Sequence, residues 1–395
     1  MTALFIAALS SGIWIYLLAG RGGFWRAAQR DDAPPTPSPQ GIIWPRVAAI
    51  IPARDEARFI GESVASLLRQ DYGGDLRLVV VDDHSSDATA AVARHAAAAA
   101  GASDRLTVLA APGLREGWTG KLWAVHHGIE HAQALPEAPE YLLLTDADIR
   151  HADDTVTALV RRAVDGGLVL TSLMARLRCV SFAERALVPA FVFFFQMLYP
   201  FSWVNRNDRT TAAAAGGCML VQRRSLQAAG GIGAIRGELI DDCAVARLLK
   251  LHGPIWLGLS ERVHSAREYP SIGEMRRMIV RCAYAQLQFS PWWLALAAVA
   301  MAVTFLAPPL LALLGNGAPQ LLGALAWAQM ALALQPVLRF YGRSPWWGVA
   351  LPAIAAVYLA FAVDSARRHL RGRGGEWKGR MHRPSTSHGM RRHGN

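Results

Sequence analysis

The hydrophobic residues of this chain fall into three zones. Residues 1–19 carry no charged side chain and are about long enough to cross a bilayer as one helix. Between Val47 and Phe289, short runs rich in β-branched residues alternate with helix-compatible stretches. From Pro291 to Val363 the chain is uncharged apart from Arg339 and Arg343. The pattern predicts a globular domain between an N-terminal membrane anchor and C-terminal membrane segments.

The central zone has the element order of an α/β fold. Apolar runs that end in polar turns predict four strands, at Val47–Ile51, Leu76–Val81, Leu106–Leu109 and Tyr141–Leu144. Helical patterns predict helices at Ile60–Leu68, in the Ala-rich stretch that Ser86 or Asp87 would cap, and at Lys121–His131. Alternating strands and helices predict a mostly parallel sheet. Ligands of such sheets bind beyond the C-terminal strand ends, where Arg54, Asp83 and Asp148 fall.

Two carboxylates follow the fourth predicted strand. Asp146 and Asp148 are two residues apart, and alternate residues of a strand point to the same face. We therefore expect both carboxylates to converge on one cation, or on a cation and a ribose. Carboxylate oxygens suit Mg²⁺ or Mn²⁺. The alternative is an ordinary turn, in which Asp hydrogen-bonds its own backbone.

Composition narrows the expected partners. The chain has 395 residues, 52% of them hydrophobic, and a net charge of +11. Its arginines cluster beside apolar stretches and no nucleic-acid-binding module accompanies them, so we expect anionic phospholipids as partners and no nucleic acid. The four cysteines form no Cys-x-x-Cys pair, which predicts reduced thiols in a cytosolic domain rather than a metal site.

Flanking charges orient the chain. Arg21, Arg26 and Arg30 follow the first apolar segment, whereas a signal peptide carries its basic residues before that segment. We therefore expect an uncleaved anchor in a multi-pass protein of the inner (cytoplasmic) membrane, with the central domain facing the cytoplasm. The expected organisation is residues 1–20 as the anchor, 31–45 as a Pro-rich linker, 46–290 as the α/β domain, 291–364 as C-terminal membrane segments and 365–395 as a basic cytoplasmic tail.

The last zone offers three apolar candidates, at Trp292–Leu314, Gln320–Val337 and Trp346–Val363. Three spans after a cytoplasmic domain would leave the basic tail outside, which the positive-inside rule opposes. Our hypothesis is that the third segment is re-entrant or interfacial and bent at Pro352, so that the tail returns to the cytoplasm.

Three motifs follow the predicted strands: Val-Ala-Ala-Ile-Ile-Pro-Ala-Arg-Asp-Glu-Ala, Val-Val-Val-Asp-Asp-His-Ser-Ser-Asp-Ala-Thr and Leu-Leu-Leu-Thr-Asp-Ala-Asp. In order and spacing, over residues 47–290, they resemble the nucleotide-sugar half of the family 2 glycosyltransferases, which adopt the GT-A fold. Further segments look like the membrane-bound hopene-associated glycosyltransferases of hopanoid clusters; they begin at Gly117, Gly216, Ile240 and Gly374. The resemblance implies a GT-A nucleotide-sugar-binding domain with transmembrane helices on both sides.

The resemblance also implies roles for single residues. The first loop is expected to line the nucleotide pocket with Pro52, Ala53, Arg54 and Glu56. Asp83 would accept a hydrogen bond from the uracil edge, and Lys121 would contact the donor sugar or diphosphate. Asp146 would reach the ribose and Asp148 would bind the Mg²⁺ or Mn²⁺. Turn formation is the alternative for Asp83, and an ordinary solvated lysine is the alternative for Lys121.

An inverting glycosyl transfer needs a carboxylate to take the proton of the acceptor hydroxyl. The family places this acid in a Glu-Asp pair at a helix start, and here Asp241 and Asp242 occupy that place, with Asp for the usual Glu. We predict Asp242 as the base and Asp241 as its neighbour; the reverse assignment stays open. The alternative role is capping of the following helix by one of them. Repulsion between adjacent carboxylates predicts a raised pKa for one.

Arg277 and Arg281 are four residues apart on one predicted helix face, where they would hold the diphosphate; a headgroup-binding face is the alternative. Processive family members carry a Trp in the motif that contains these arginines. That Trp is missing here, which favours the transfer of a single sugar over the synthesis of a polysaccharide. The aromatic segment Ala186–Val204 is typical of a membrane interface that admits a lipid, with a buried helix as the alternative.

The resemblance thus implies an inverting glycosyltransferase that moves a sugar from a UDP-sugar onto a lipid hydroxyl in hopanoid biosynthesis. The alternatives are another lipid acceptor (a carotenoid, a sphingolipid-like lipid or a polyprenyl phosphate) or a non-catalytic nucleotide-sugar-binding scaffold. A nucleotidyltransferase is disfavoured because no Gly-rich phosphate loop follows the first strand.

Overall fold

The structure is a computed structural model that describes residues 1–32, 44–372, 376–377 and 380–381. Most of the predicted Pro-rich linker at 31–45 therefore lies outside the described residues. So do the end of the predicted basic tail at 365–395 and most of the motif that begins at Gly374.

An eight-stranded sheet forms the centre of the described chain. In chain order its strands are β1 (Val47–Ala53), β2 (Leu76–Asp82), β3 (Leu106–Ala110), β4 (Tyr141–Thr145), β5 (Ile149–His151), β6 (Leu170–Arg176), β7 (Cys218–Gln222) and β8 (Ile255–Ser265). Their order in space is β3-β2-β1-β4-β7-β6-β8-β5. Only β7 and β5 run against the others. The prediction of a mostly parallel sheet is confirmed.

Helices surround the sheet and extend beyond it. They are α1 (Thr2–Ala19), α2 (Ile60–Leu68), α3 (Thr89–Ala99), α4 (Gly120–Gln133), α5 (Thr155–Asp165), α6 (Phe182–Leu198), α7 (Phe201–Val204), α8 (Arg223–Ala228), α9 (Asp241–Lys250), α10 (Ile272–Gln286), α11 (Pro291–Met301), α12 (Ala307–Leu314), α13 (Ala318–Phe340) and α14 (Leu351–Leu370). A π-helical turn at Ala302–Leu306 joins α11 to α12. A short hairpin pairs β9 (Glu376–Trp377) with β10 (Arg380–Met381).

Strand β1 lies between two hydrophobic cores. All of its residues are buried, and alternate side chains point to opposite faces of the sheet. Ala48 and Ile50 belong to the core that α4 and α6 cover, while Ala49 and Ile51 belong to the core that α2 and α3 cover. Burial on both faces explains why this strand reads as a continuous apolar run.

The four predicted strands are confirmed, and each extends one or two residues further towards its C-terminus. Asp87, not Ser86, accepts a hydrogen bond from the Thr89 backbone N–H at the start of α3 (3.0 Å). One expectation is wrong: β4 ends at Thr145, so Asp146 and Asp148 lie in the turn that leads to β5. Strand alternation therefore does not set the directions of the two carboxylates.

Three helical segments of the described chain are long and apolar enough to cross a membrane: α1, Pro291–Leu314 and α13. The first of them packs against the other two. The Trp14 indole N–H donates to the Thr304 carbonyl (2.8 Å), and the Ser11 hydroxyl donates to the Leu322 carbonyl (3.1 Å). The N-terminal and C-terminal candidate membrane spans thus pack together as one unit.

The third predicted C-terminal segment, Trp346–Val363, is not among those spans. Most of it lies in α14, which carries Asp364, Arg367 and Arg368 near its end. The aspartate is ion-paired with Arg276 of α10 (2.8 Å). The hypothesis that this segment does not span the membrane stays a prediction, and the charges of α14 agree with it.

The aromatic segment Ala186–Val204 forms part of α6 and all of α7. Helix α6 continues through Pro189, and Phe193 is fully buried. Phe194 stacks edge-on against Phe305 of the membrane segment, with ring centroids 5.5 Å apart. The Tyr358 hydroxyl of α14 donates to the Leu187 carbonyl (2.8 Å). The segment thus packs between the sheet and the candidate membrane helices, with Phe191, Phe195 and Tyr199 only partly buried, and its role as a membrane interface stays a prediction.

Gly128 of α4 provides a test of the packing between this helix and the sheet. A Cβ at this position would lie 2.5 Å from Ile50 Cγ2 and 3.0 Å from Val81 Cγ2. We expect Gly128→Ala to lower the free energy of unfolding by roughly 1–3 kcal/mol, because overpacking displaces neighbours. Thermal unfolding of the detergent-solubilised chain measures this. Gly113→Ala, where nothing lies within 4 Å, is the control; equal losses in both variants would contradict the packing.

Candidate active site

Several predicted site residues meet in a pocket at the C-terminal edge of the sheet. Its lining includes Pro52 from β1, Lys121 from α4, Asp146 after β4 and Asp241 from α9. Gly216, just before β7, closes one side. The parallel topology of β1 and β4 brings their ends together, as ligand sites of such sheets require.

Lys121 connects two of these acids. Its ammonium lies 2.9 Å from Asp146 Oδ1 and 3.0 Å from Asp241 Oδ2. Burial lowers the pKa of Lys121, but the two carboxylates raise it by more, so the side chain stays charged. Desolvation raises the pKa of Asp146; Lys121 opposes this, and Asp148 and Asp241 add to it. The pocket therefore holds a cation between competing acids.

The Asp242 carboxylate is bound by two backbone amides. Its Oδ2 accepts a hydrogen bond from the Gly216 backbone N–H (2.9 Å), and its Oδ1 accepts one from the Cys243 N–H (2.7 Å). Burial and the charge of Asp241 raise the pKa of Asp242 to about 6, although Lys121 and the two amides oppose the shift. Helix α9 has Ile240 as its N-cap residue without a side-chain cap, so the capping alternative is not what the structure has.

Gly216 is a close-approach position between these groups. A Cβ there would lie 3.4 Å from Asp242 Oδ2 and 3.5 Å from Lys121 Nζ. A larger side chain would therefore fill the space between the candidate base and the lysine.

The first loop meets the end of β2. The Asp83 backbone N–H donates to the Ala53 carbonyl (2.8 Å), and an Arg54 N–H donates to the Asp83 carbonyl (2.6 Å). The same guanidinium lies 3.7 Å from the fully buried Asp83 carboxylate. These contacts bring Ala53, Arg54 and Asp83 together beside Pro52, as the sequence predicts.

Asp148 lies in an ion-pair network that sequence reasoning missed. Its Oδ2 accepts from the Arg267 Nε–H (2.9 Å) and from the Ser265 hydroxyl (3.1 Å). The same guanidinium donates to Glu56 Oε1 (2.6 Å). Arg267 follows β8, and the pairing of β8 with β5 brings it to this turn. Glu56 thus holds the Arg267 side chain that binds Asp148.

The two predicted arginines of α10 have different surroundings. Arg277 is exposed and ion-paired with Glu274 of its own helix. Arg281 is exposed as well and does not line the pocket; desolvation lowers its pKa, and Cys282 raises it, with smaller contributions from Asp241 and Asp146. The structure does not bring Arg277 into the pocket.

Tyr269 is a second residue that sequence reasoning missed. Burial raises the pKa of its phenol to about 12; Arg267 opposes the shift, and Asp148 contributes to it. Its backbone N–H donates to the buried Glu184 carboxylate (2.7 Å). This contact anchors the segment after β8 to the start of α6. No local motif marks Tyr269, so only the fold could identify it.

The acidic residues suit a cation that substrate oxygens help to bind. Asp146 and Asp148 supply the carboxylate oxygens that Mg²⁺ and Mn²⁺ prefer, and they are near enough for Asp148 to raise the pKa of Asp146. Within residues 1–32 and 44–372, no group of three or more His, Cys, Asp or Glu side chains could hold a metal ion. A metal here would need diphosphate oxygens as further ligands.

Sequence comparison identifies the domain. Residues 48–230 match the glycosyl transferase family 2 model. A segment of 67 residues is 43% identical to an N-acetylglucosaminyltransferase of Mesorhizobium japonicum, and it spans 16% of this chain and 16% of that protein. The matched region has the sequence of a glycosyltransferase family 2 domain and contains Pro52, Lys121, Asp146 and Gly216 of the site, whereas Asp241 and Asp242 follow its end.

Two solved structures are similar to this chain, and the first of them supports the fold. A mannosyltransferase of Pyrobaculum calidifontis in complex with GDP-Man and Mn²⁺ has a TM-score of 0.50 and 21% identity, covering 91% of this chain and 99% of that one. A glucosyl-3-phosphoglycerate synthase of Mycobacterium tuberculosis with Mg²⁺ and UDP has a TM-score of 0.39 and 19% identity, over 62% and 79% of the two chains. The eight-stranded α/β sheet is GT-A-like.

The lysine bridge predicts a pH-dependent defect. In Lys121→Met, Asp146 and Asp241 would face each other without a cation, so we expect a loss of roughly 1–3 kcal/mol in unfolding free energy at about pH 8. The loss should shrink towards about pH 5, because protonation of a carboxyl relieves the repulsion. Thermal unfolding at both pH values measures it.

The double variant Lys121→Met/Asp241→Asn is the matched control, since it removes one charge of each sign. It should recover much of the stability at the higher pH. A loss in the single variant that is the same at both pH values would contradict the proposed charge balance.

Proposed function

We propose that this chain is a membrane-bound inverting glycosyltransferase that moves a sugar from a nucleoside diphosphate sugar, a UDP-sugar, onto a lipid hydroxyl. The observation that carries the proposal is the Lys121 bridge between Asp146 and Asp241, beside an Asp242 whose pKa is raised to about 6. A charged lysine, a donor-side acid and a proton-accepting acid at one sheet edge are the groups that such a transfer needs.

Donor binding is assigned to the ends of β1, β2 and β4. The uracil ring of the donor would contact the loop of Pro52 and Arg54. The Asp83 carboxylate would accept a hydrogen bond from the uracil N–H. Asp146 would hydrogen-bond the ribose. Lys121, 2.9 Å from Asp146, would contact the diphosphate when the donor is bound, since an ammonium is a suitable phosphate ligand.

In the chemical step, the acceptor oxygen attacks the anomeric carbon on the side opposite the diphosphate. The new carbon–oxygen bond forms as the bond to the diphosphate oxygen breaks, and Asp242 takes the hydroxyl proton. A base works best with a pKa near the working pH, and the value of about 6 for Asp242 supports this role. Asp241 is ion-paired with Lys121. This suits a residue that raises the pKa of Asp242 rather than one that accepts the proton itself.

The departing nucleoside diphosphate carries negative charge. Lys121 lies in the pocket to receive it, and Arg281, whose pKa Asp241 and Asp146 help to raise, would approach it from α10; Arg277 is exposed and paired with Glu274, so it has no part in this proposal. A Mg²⁺ or Mn²⁺ held by Asp148, with Asp146 nearby, would neutralise further charge. Arg267 binds one oxygen of Asp148 (2.9 Å) and would orient that carboxylate.

The lipid acceptor is inferred from the membrane helices. Three described segments are apolar enough to span a bilayer, and α6 connects them to the catalytic domain. An inner-membrane location with a cytoplasmic active site follows from the basic residues after α1. A hopanoid acceptor follows from the motif resemblance, with a carotenoid, a sphingolipid-like lipid or a polyprenyl phosphate as alternatives. Lipid mass spectrometry of cells with and without the protein would identify the acceptor.

The base assignment predicts a pH profile. Because Asp242 must be ionised, kcat should rise with pH through about 6. Asp242→Asn should lower kcat by roughly 10²–10⁴-fold and leave nucleotide binding intact. Turnover of a UDP-sugar with membrane lipid extract, together with calorimetric UDP binding, measures both.

Asp241→Asn is the matched control because it removes the neighbouring negative charge. The pKa of Asp242 should then fall, which would shift the acid limb of the profile to lower pH. Full activity of Asp242→Asn, or loss of activity in Asp241→Asn alone, would reverse the assignment.

Metal dependence is the second functional prediction. Excess chelator should abolish turnover and weaken UDP binding, and added Mn²⁺ or Mg²⁺ should restore both. Asp148→Asn should weaken Mn²⁺ binding in the presence of UDP, as followed by the electron paramagnetic resonance of Mn²⁺. Unchanged turnover in chelator would rule out the metal role.

A further inference from the structure

Arg267 is shared between two acids at the edge of the site. Its Nε lies 2.9 Å from Asp148 Oδ2, and its Nη2 lies 2.6 Å from Glu56 Oε1. Both carboxylates are shielded from water, with 12% of the Asp148 side chain and 8% of the Glu56 side chain exposed. The guanidinium also lies over the ring of Phe59, with Cζ 5.2 Å from the ring centroid. Shielded charges are screened little by salt, so Arg267 is an internal cation of the site.

The Asp148 carboxylate is held on one side only. Its Oδ2 accepts from the Ser265 hydroxyl (3.1 Å) as well as from Arg267. Its backbone carbonyl accepts from the Ala266 N–H (2.8 Å), which fixes the turn to the end of β8. One oxygen of the candidate metal ligand is therefore taken by two donors, and the charge of the carboxylate is partly neutralised without any metal.

Asp146 is in the same condition, because its Oδ1 lies 2.9 Å from the Lys121 ammonium. Within the described parts of the chain, no third His, Cys, Asp or Glu side chain joins the two aspartates in a metal-binding group. Mg²⁺ requires nearly octahedral coordination and is usually bound by one or two carboxylates together with substrate phosphates. Two carboxylates that each carry an internal cation would bind a divalent ion weakly on their own.

Arg267 also contacts the nucleotide side of the site, because Glu56 belongs to the first loop. The Glu56 backbone N–H donates to Thr89 Oγ1 (2.8 Å), and the Ala57 N–H donates to Asp87 Oδ2 (3.0 Å). These contacts fix the loop to the start of α3. One guanidinium thus joins the loop expected to line the nucleotide pocket to the aspartate expected to bind the metal.

We propose that Arg267 is a positioning residue that makes metal binding depend on the nucleotide. By neutralising Asp148, it keeps the affinity of the free protein for Mg²⁺ or Mn²⁺ low. The ion then binds when a nucleoside diphosphate supplies further anionic oxygens. This inference rests on the proposed function, in particular on Asp148 as the metal ligand, and adds to it the regulation of that site.

The test uses the full chain in detergent. The electron paramagnetic resonance of free Mn²⁺ gives the Mn²⁺ dissociation constant without UDP and with saturating UDP, and the ratio of the two constants is compared between variants. Mn²⁺ binding by UDP in solution is measured separately and is common to all of them. We expect UDP to tighten Mn²⁺ binding to the native protein by about 50-fold or more.

In Arg267→Gln, the free protein should bind Mn²⁺ more tightly, because Asp148 regains its full charge and its second oxygen. The ratio should therefore fall about tenfold. A purely structural role of Arg267 would weaken Mn²⁺ binding with and without UDP to the same extent. An unchanged ratio in Arg267→Gln would overturn the proposal.

Two further variants complete the test. Arg267→Gln/Glu56→Gln removes one charge of each sign, which protects the fold, and it should show the same fall in the ratio. Arg77→Gln is the matched control, because Arg77 binds Asp75 through its Nε (3.0 Å) at the start of β2, the end of the strand opposite the site. It should keep the native ratio, and an equal fall in Arg77→Gln would overturn the proposal.

Calorimetry of UDP with and without Mn²⁺ should give the same ratio, since coupling between two ligands is reciprocal. Asp148→Asn separates this proposal from the proposed function. If UDP tightened Mn²⁺ binding equally in Asp148→Asn and in the native protein, the metal role of Asp148 would fail, and the role of Arg267 with it. If Asp148→Asn lost the tightening while Arg267→Gln kept it, only the role of Arg267 would fail.

Discussion

The ammonium of Lys121 between Asp146 and Asp241 is the interaction on which the site depends. It joins the end of β4 to the start of α9 with contacts of 2.9 and 3.0 Å, in a pocket where two unscreened carboxylates would repel. By holding Asp241 in place, it also sets the environment of Asp242, whose pKa is raised to about 6. Gly216 lies against both groups, since a Cβ there would be in van der Waals contact with Lys121 and Asp242.

Much of the catalytic domain could be predicted from local pattern. The strands are apolar runs buried on both faces, so β1, β2 and β4 are visible in the sequence, and parallel pairing then brings their polar ends to one edge. Pro52, Lys121, Asp146 and Asp241 could therefore be grouped before any coordinates were known. The pair Asp146 and Asp148 was placed in a strand because residue spacing alone does not show where β4 ends.

Long-range pairing explains what the sequence could not show. Arg267 meets Glu56 across 211 residues and Asp148 across 119. The antiparallel pairing of β5 with β8 brings Arg267 to the turn of Asp148. The same limit applies to Arg277 and Arg281, whose spacing is helical but whose surroundings depend on how α10 packs. The aromatic residues of α6 were ambiguous for a different reason: a buried core and a membrane interface both favour phenylalanine.

The contact between Trp14 and Thr304 has a consequence for how the protein is made. The two residues are 290 positions apart, and a ribosome that adds about 5–20 residues per second needs roughly 15–60 s to cover that distance. During this time α1, a candidate membrane span, would be without its partner helices, while the whole catalytic domain is synthesised. The unit that α1 forms with Pro291–Leu314 and α13 can therefore assemble only late in synthesis, and a chain truncated before α13 would leave the buried face of α1 without its partners.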